Sequence, residues 1–165
     1  MSPKVVENFL SQKNYKTLYN AINNEYFPWY YNNYKIDEDN NKLFNYQLTH
    51  VFFKNNKINS LYFSILDSLL KKLKLKTLKK VKANLNPISD KLVEFGEHKD
   101  AAKELQCMSM IYYLNTNNGY TKIKNKKIKS KANKAVFFPS HTSHFGTNST
   151  NCNNRMVLNI IYKED

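Results

Sequence analysis

The fold and the chemistry are decided by residues 97–115, which read EHKDAAKELQCMSMIYYLN. This stretch begins with a polar piece that contains His98 and Asp100, and it ends with an apolar piece over residues 107–114. Side chains at positions i and i+2 of a strand point to the same side, so an imidazole nitrogen and a carboxylate oxygen can be aimed at one point. The sequence therefore predicts half of a metal site, followed by a buried strand.

Two later residues extend this pair into a longer ordered set. His144 supplies a second imidazole, and Arg155, the only arginine of the chain, opens the last apolar segment. Two histidines and one carboxylate on one face of an octahedral ion leave three positions open, which is the arrangement in non-haem Fe(II) oxygenases. A lone His-x-Asp tripeptide is also typical of polar surface loops. The metal site is therefore indicated by the order of all these residues along the chain, rather than by the tripeptide alone.

This order resembles the 2-oxoglutarate- and Fe(II)-dependent dioxygenases, specifically the prolyl-4-hydroxylase-like branch and its small phage and marine-bacterial members. The resemblance runs over residues 27–162, and its most specific parts are Ile111-Tyr112-Tyr113-Leu114-Asn115 and Arg155-Met156-Val157-Leu158-Asn159-Ile160. It implies a mainly β (α+β) protein with a double-stranded β-helix, a jelly-roll or cupin-like fold with N-terminal supporting helices.

The resemblance also implies the ligands of Fe(II), namely His98, Asp100 and His144. His144 is favoured because family members commonly run from the distal histidine through a Gly-Thr-like turn to the arginine, as His144-Phe145-Gly146-Thr147 does here. The interval to Arg155 is slightly longer than in some prolyl hydroxylases. His141 therefore stays open as an alternative ligand.

The co-substrate pocket is implied in the same way. Arg155 is expected to bind the distal carboxylate of 2-oxoglutarate, because a planar guanidinium holds a carboxylate through two hydrogen bonds and lysine cannot. Tyr113 matches the family tyrosine whose hydroxyl helps to hold that carboxylate, and Tyr112 should face the opposite side of the sheet. Asn159 is expected to line the pocket, and Asn84 resembles a position that often contacts the co-substrate or the substrate.

The implied activity couples decarboxylation of 2-oxoglutarate, to succinate and carbon dioxide, with hydroxylation of an unactivated C–H bond. Fe(II), 2-oxoglutarate and O2 are the expected cofactor and co-substrates, and ascorbate is expected to support turnover. A prolyl peptide is the default substrate by resemblance. A free amino acid, a nucleobase in phage or host DNA, or another small metabolite stays open.

The whole composition fits one globular domain over residues 1–165, with 41% apolar and 14% aromatic residues. No run of about 18 apolar residues occurs, and the N-terminus lacks a signal-peptide pattern. We therefore expect no membrane association and a cytoplasmic location, in a bacterial or phage-infected host cell. Cys107 and Cys152 are too few for a disulfide framework and are expected to be reduced.

The net charge of +13 permits binding to nucleic acid or other anionic surfaces. A coding sequence rich in A and T, as in small phage genes, is the competing explanation for so many lysines. The lysines within residues 71–82 are predicted to form a solvated face, with a polyanion-binding patch as the second interpretation. Those within residues 122–134 fit a hairpin or edge strand, where lysine discourages pairing between molecules.

Two other function classes compete with the oxygenase. A zinc site could use His98, His144, Cys107 or Cys152, although zinc ligands usually cluster at short spacings that are absent here. A basic, non-enzymatic nucleic-acid-binding module would use the positive charge and the aromatic residues. That module leaves the ordered histidines, aspartate and arginine unexplained.

Hydrophobic periodicity predicts early helices and then many short strands. Ser11 is expected to cap a helix that ends near Asn24, and Ser60 a main helix with an apolar stripe from Leu61 to Leu73. Strands are predicted at residues 5–10, 27–31, 47–53, 81–86, 107–114, 120–123, 135–138 and 156–162, with a further strand around His144 and a polar loop at 37–42. The pattern favours an antiparallel barrel or jelly roll supported by helices.

Overall fold

The computed structural model describes residues 2–35 and 45–165. Its strands are β1 (Lys4–Val6), β2 (Tyr30–Asn32), β3 (Gln47–Lys54), β4 (Lys57–Ile58), β5 (Leu75–Pro87), β6 (Met108–Tyr113), β7 (Tyr120–Ile123), β8 (Lys126–Lys129), β9 (Lys134–Pro139), β10 (His144–Gly146) and β11 (Asn154–Glu164). The helices are α1 (Gln12–Ile22), a 3-10 turn (Phe63–Leu66) that continues into α2 (Asp67–Leu70), and a second 3-10 turn (Lys103–Leu105). The predicted loop at 37–42 lies outside the described residues.

Two antiparallel sheets make up the fold. The major sheet has eight strands in the order β1-β9-β6-β11-β5-β3-β2, with β4 paired to β3, and the minor sheet has three in the order β10-β7-β8. The order of the major sheet is far from the chain order, as expected for a jelly roll. The predicted mainly β jelly roll with supporting helices is confirmed.

The two faces of the major sheet are occupied by alternating residues of the same strands. On β11, Met156, Leu158 and Ile160 pack into a large apolar core, which also contains Leu18 and Ile22 of α1. Side chains of the intervening residues of β11 point to the opposite face, towards the minor sheet. The helices therefore cover one face of the major sheet and leave the other face for the site.

The capped N-terminal helix is confirmed. The Ser11 hydroxyl accepts a hydrogen bond of 3.3 Å from the backbone N–H of Asn14, which satisfies one of the free donors at the start of α1. Leu18 and Ile22 lie one turn apart and are buried. The apolar spacing thus correctly predicted both the helix and its buried face.

The predicted main helix from Leu61 to Leu73 is wrong. Leu61 is fully exposed, and the apolar residues that follow form only the short turn and α2. The Ser60 hydroxyl accepts from the Tyr62 N–H at 3.0 Å and is hydrogen-bonded to the ring of His50 at 2.7 Å. These bonds stabilise a turn at the position where a long helix was expected to begin.

Part of the lysine-rich segment after that turn belongs to β5 rather than to a solvated face. β5 pairs with β11 on one side and with β3 on the other, which extends the predicted strand at 81–86 back to Leu75. The backbone N–H and C=O groups of this segment therefore form hydrogen bonds with strands on both sides. This pairing keeps the segment in the sheet although many of its side chains are polar. Lys80 and Lys82 consequently face the interior of the molecule.

The predicted strands over 47–53, 107–114, 120–123, 135–138 and 156–162 all occur, with shifts of one or two residues at their ends. The strand expected at 27–31 begins only at Tyr30. Among the described residues, none of the helices has the length and apolar character needed to cross a membrane.

Candidate active site

His98 and His144 are held side by side by their own backbones. The His98 N–H donates to the His144 carbonyl at 2.9 Å, and the His144 N–H donates to the His98 carbonyl at 3.0 Å. This reciprocal pair is an isolated bridge between β10 and an extended segment, rather than the regular strand predicted for His98. The two ring centroids are 4.4 Å apart as a result.

Asp100 completes a three-residue group. Its Oδ1 lies 3.9 Å from Nε2 of His98, and its Oδ2 lies 3.5 Å from Nε2 of His144. One potential ligand atom of each residue lies within 4.8 Å of the other two. Two imidazoles and one carboxylate in this arrangement can hold a metal ion from one side.

The outer nitrogen of each imidazole faces a backbone carbonyl. Nδ1 of His98 is 3.2 Å from the Gly96 oxygen, and Nδ1 of His144 is 3.0 Å from the Thr142 oxygen. An N–H at Nδ1 leaves the lone pair of Nε2 directed at the centre of the group. Burial lowers the pKa of His98, and the nearby His144 lowers it further, while Asp100 opposes both effects. The neutral form of His98, which is the form that ligates metals, is therefore favoured.

The Asp100 carboxylate is oriented by two neighbours on the major sheet. The Ser109 hydroxyl donates to Oδ2 at 2.6 Å, and the Asn159 amide donates to Oδ1 at 3.2 Å. The sequence analysis did not identify Ser109. Ser109, Ile111 and Tyr113 are alternate residues of β6, so their side chains point to the same face of the sheet. Asn159 was expected in the co-substrate pocket and contacts Asp100 instead, while still lining the same cavity.

Arg155 is buried at the start of β11 and held by three hydrogen bonds. Its Nε donates to the Ser130 hydroxyl at 2.8 Å, one terminal nitrogen to the Thr121 hydroxyl at 2.9 Å, and the other to the Thr147 carbonyl at 3.2 Å. Burial lowers the pKa of Arg155, and the adjacent Tyr113 opposes this. Within residues 2–35 and 45–165, no carboxylate forms an ion pair with this guanidinium.

The immediate surroundings of Arg155 fit an incoming anion. A guanidinium has five N–H donors, and Tyr113 is a further hydrogen-bonding neighbour of this one besides the three partners described above. A Cβ atom added at Gly119 would lie 2.6 Å from Cδ of Arg155, and one added at Gly146 would lie 3.3 Å from its terminal nitrogen. The two glycines therefore leave space for the arginine side chain.

Tyr113 and Tyr112 point to opposite faces of β6, as predicted. Tyr113 is fully buried with its ring 5.5 Å from the guanidinium carbon of Arg155. Burial raises the pKa of Tyr113, although the charge of Arg155 opposes the shift. Tyr112 lies in the helix-side core, where its hydroxyl donates to Asn133 at 2.8 Å.

A single cavity of about 240 Å³ joins the three-residue group to Arg155. Asn84 and Asn159 both line it, whereas Tyr113 is absent from its lining and packs against Arg155. The cavity is also lined by Lys35, Gln47, Lys80, Lys82, Asn86, Phe95, Lys99, Ile111, Thr121, Gly146 and Val157. The Oδ1 atoms of Asn84, Asn86 and Asn159 are buried and accept no hydrogen bond from the described residues.

The alternative ligands do not join the group. His141 and both cysteines are absent from it, as far as the described part of the chain extends. The thiol of Cys107 is directed at the Leu105 carbonyl, and the sulfur of Cys152 accepts from the Asn115 amide. The arrangement therefore favours His144 over His141 and gives no support to a cysteine-containing zinc site.

Comparisons with known proteins agree with this geometry. The sequence model described as the 2OG-Fe(II) oxygenase superfamily matches residues 87–163, which contain the His98, Asp100 and His144 group and Arg155. Among curated proteins, none matches significantly.

Solved structures with a similar fold include prolyl hydroxylases. One is the prolyl hydroxylase of Trichoplax adhaerens, in complex with a hypoxia inducible factor oxygen degradation domain peptide fragment (16% identity, TM-score 0.65, covering 98% of this chain and 83% of that one). Another is the viral collagen prolyl hydroxylase of Paramecium Bursaria Chlorella virus-1 (14% identity, TM-score 0.60, covering 100% and 91%). A third is the epimerase SnoN in complex with Fe3+, alpha ketoglutarate and nogalamycin RO (9% identity, TM-score 0.65, covering 98% and 78%). Together with the matching sequence model, they confirm the predicted resemblance.

Proposed function

We propose that this chain, a dioxygenase that uses Fe(II) and 2-oxoglutarate, hydroxylates an unactivated C–H bond of a substrate bound in the cavity beside His98, Asp100 and His144. One observation carries the proposal. The three potential ligand atoms and a buried arginine without an anionic partner among the described residues open into the same cavity.

The donor set fits Fe(II). Neutral imidazoles and a carboxylate suit iron, and ligands from one side leave the other positions open for the co-substrates. Fe(II) supplies the oxygen activation that amino-acid side chains cannot perform. The contribution of the chain is to hold Asp100 through Ser109 and Asn159, and to place a backbone carbonyl beside Nδ1 of each histidine.

The co-substrate fits the other end of the cavity. We assign the distal carboxylate of 2-oxoglutarate to Arg155, with Tyr113 packed against the guanidinium. Asn84 remains a proposed contact of the co-substrate or the substrate. For Asn159 we propose a positioning role through Asp100, because its amide nitrogen already donates to that carboxylate.

The substrate is not determined by the fold. Proteins with this fold include hydroxylases of prolyl residues and an epimerase crystallised with nogalamycin RO. A prolyl peptide is the default substrate for the proposed hydroxylation, and a cytoplasmic location in a bacterial or phage-infected cell remains part of this proposal. The comparisons give no support to a non-enzymatic nucleic-acid-binding module.

Succinate formation from 2-oxoglutarate tests the proposal. The purified protein is assayed with Fe(II) and ascorbate, beside His98→Ala, Asp100→Asn and the control His141→Ala. Because orienting residues around metal ligands are each worth about 10–100-fold, loss of a ligand is expected to reduce turnover by more than about a hundredfold. His141→Ala should retain wild-type turnover.

A second readout covers an enzyme that turns over only with its substrate. Mn(II) and 2-oxoglutarate should together raise the melting temperature of the wild type and of His141→Ala, but not that of Asp100→Asn. Absence of both turnover and stabilisation in the wild type contradicts the proposed function. Equal behaviour of His98→Ala and wild type contradicts the ligand assignment.

A further inference from the structure

We propose that the substrate of this dioxygenase carries an anionic group, a carboxylate or a phosphate, that binds to Lys82 and Lys80 on β5. The inference rests on the proposed function, because it names the substrate class for the same cavity. It concerns a second anion-binding position, separate from Arg155.

The alternation of β5 directs both lysines into the cavity. Lys80 and Lys82 share one face of the strand with Asn84 and line the cavity with it, whereas Val81 and Ala83 lie in the helix-side core. These lysine side chains therefore do not belong to the outer surface of the sheet, where most lysines of a basic protein lie.

The sheet register places Lys82 beside the candidate metal ligands. Lys82 is paired with Asn159 of β11, and the amide of Asn159 donates to Asp100. Arg155 is paired with Asn86, four residues further along β5. At about 3.3 Å per residue, the two cationic positions are about 13 Å apart along the strand. The side chains of Lys82 and Arg155 therefore enter the cavity from different positions along the sheet.

Neither ammonium group has an anionic partner of its own. Within residues 2–35 and 45–165, the side chains of Lys80 and Lys82 make no hydrogen bond or ion pair. Desolvation lowers the pKa of Lys82 to about 8 and also lowers that of Lys80, and Asp100 is the one acidic group that opposes both shifts. Asp100 is committed to Ser109, Asn159 and the metal site, so an external anion is needed to compensate the lysines.

The charge balance of the loaded site leads to the same conclusion. The charges of Fe(II), Asp100, Arg155 and the 2-oxoglutarate dianion cancel. The lysines that line the cavity then leave an uncompensated positive charge, to which Lys80, Lys82 and Lys99 contribute. An anionic substrate is attracted to such a cavity, and a cationic one is repelled.

The remaining lining favours a small polar molecule. Unpaired Oδ1 atoms of Asn84 and Asn159 can accept hydrogen bonds from hydroxyl or amino groups of a ligand. The cavity of about 240 Å³ must also hold 2-oxoglutarate, which leaves room for a small anionic group but not for a folded polyanion. We therefore assign the position to the carboxylate or phosphate of a small substrate.

Binding of small probes next to the metal position tests this assignment. The protein is loaded anaerobically with Mn(II) and saturating 2-oxoglutarate, and the methyl-proton relaxation of acetate, methyl phosphate or neutral acetamide is measured by NMR. Paramagnetic Mn(II) accelerates relaxation only of probes that bind close to it. The variants are the double substitution Lys80→Met with Lys82→Met, the charge-retaining Lys82→Arg, and Lys76→Met as a control. Lys76 lies exposed on the same strand and does not line the cavity.

The expected result is saturable relaxation by at least one anionic probe and little by acetamide. The double variant should bind that probe about tenfold or more weakly, because hydrogen bonds between charged groups are the stronger ones. Lys82→Arg and Lys76→Met should retain binding. Comparing acetate with methyl phosphate distinguishes the two anionic groups.

Four results would overturn the inference. The first is no accelerated relaxation of either anion with the wild type, the second is equal binding of the anion by the double variant and the wild type, and the third is weaker binding of 2-oxoglutarate in the lysine variants. A fourth is binding of a short oligonucleotide that weakens equally in Lys76→Met and the double variant, which indicates a polyanion surface. Failure of Mn(II) and 2-oxoglutarate to stabilise the wild type contradicts the proposed function instead, so the two failures are distinguishable.

Discussion

The two faces of the major sheet use the same strands but carry opposite kinds of side chain. On the helix side, Phe52, Val81 and Leu158 are fully buried among other apolar groups. On the cavity side, β5 and β11 present lysine, asparagine and arginine, and only some of their polar atoms have partners among the described residues. Burial of apolar groups stabilises the fold, whereas incompletely paired buried polar groups cost stability. The difference indicates which face is maintained for binding.

Two buried histidines illustrate the same contrast. His50 lies on the helix side, and both of its ring nitrogens are hydrogen-bonded at 2.7 Å, one to the Pro28 carbonyl and one to the Ser60 hydroxyl. His144 has only Nδ1 bonded to a backbone carbonyl, and its Nε2 faces Asp100 and the cavity. A fully paired histidine is explained by structure alone, whereas the free lone pair of His144 is available to a ligand.

Leu158→Ala should produce the largest loss of stability on the helix side. Truncation of a fully buried leucine leaves a cavity and is expected to lower the free energy of unfolding by about 2–5 kcal/mol. Urea denaturation measures this loss, with Asn159→Ala, the neighbour on the opposite face, as the control. A loss as large in Asn159→Ala would contradict the proposed division of roles between the faces.

Arg155→Lys should affect the cavity side through co-substrate binding. Lysine keeps the charge but loses the paired donors, so the KM for 2-oxoglutarate is expected to rise by about 10–100-fold with a smaller change in kcat. Succinate assays over a range of 2-oxoglutarate concentrations measure this change. Lys163→Arg, on the same strand and outside the cavity, should leave KM unchanged. An unchanged KM in Arg155→Lys would exclude the assigned carboxylate position.

Lys82→Met should stabilise the ligand-free protein below about pH 8. The pKa of Lys82 is about 8 in the folded chain and 10.5 as its ordinary value, so the unfolded chain binds more protons between these values. Wild-type stability relative to Lys82→Met should therefore rise as the pH increases from about 8 to 10.5, by roughly 3 kcal/mol. Denaturation curves at both ends of this range measure the difference. Parallel pH profiles would show that Lys82 is not desolvated.

Leu61→Ala should have the smallest effect. Leu61 is fully exposed, so its truncation is expected to change the free energy of unfolding by less than about 0.5 kcal/mol. Leu69→Ala, in the same apolar stripe but fully buried, should lose several times more. Thermal denaturation of both variants compares them directly. Equal losses would support the continuous helix that periodicity predicted.

The correctly predicted helices and strands are those whose local sequence pattern matches their surroundings in the folded protein. The α1 helix has both a serine cap and an apolar stripe, and β7 begins and ends at the predicted residues. The alternation of Tyr112 and Tyr113 correctly assigned them to opposite faces. These features depend on residues that are close together in the chain, so they can be predicted from residue type and spacing.

The failures occur where distant strands decide the outcome. The lysines of β5 look solvated in the sequence, but pairing with β3 and β11 brings two of them into the cavity. Ser109 and Asn159 contact Asp100 from different strands, and no sequence pattern around these residues predicts the two contacts. The stripe after Ser60 has helical spacing, yet side-chain bonds to His50 and Tyr62 favour a turn.

By itself, the sequence predicted the fold class from its strand pattern and from the family resemblance, and the same resemblance singled out the candidate ligands and Arg155. Only the tertiary structure decided that His98 and His144 bridge each other, that Arg155 lacks an anionic partner among the described residues, and that Lys80 and Lys82 line the same cavity. The reason is physical: strand pairing between residues far apart in the chain sets which side chains meet, and burial then determines which charges need a ligand.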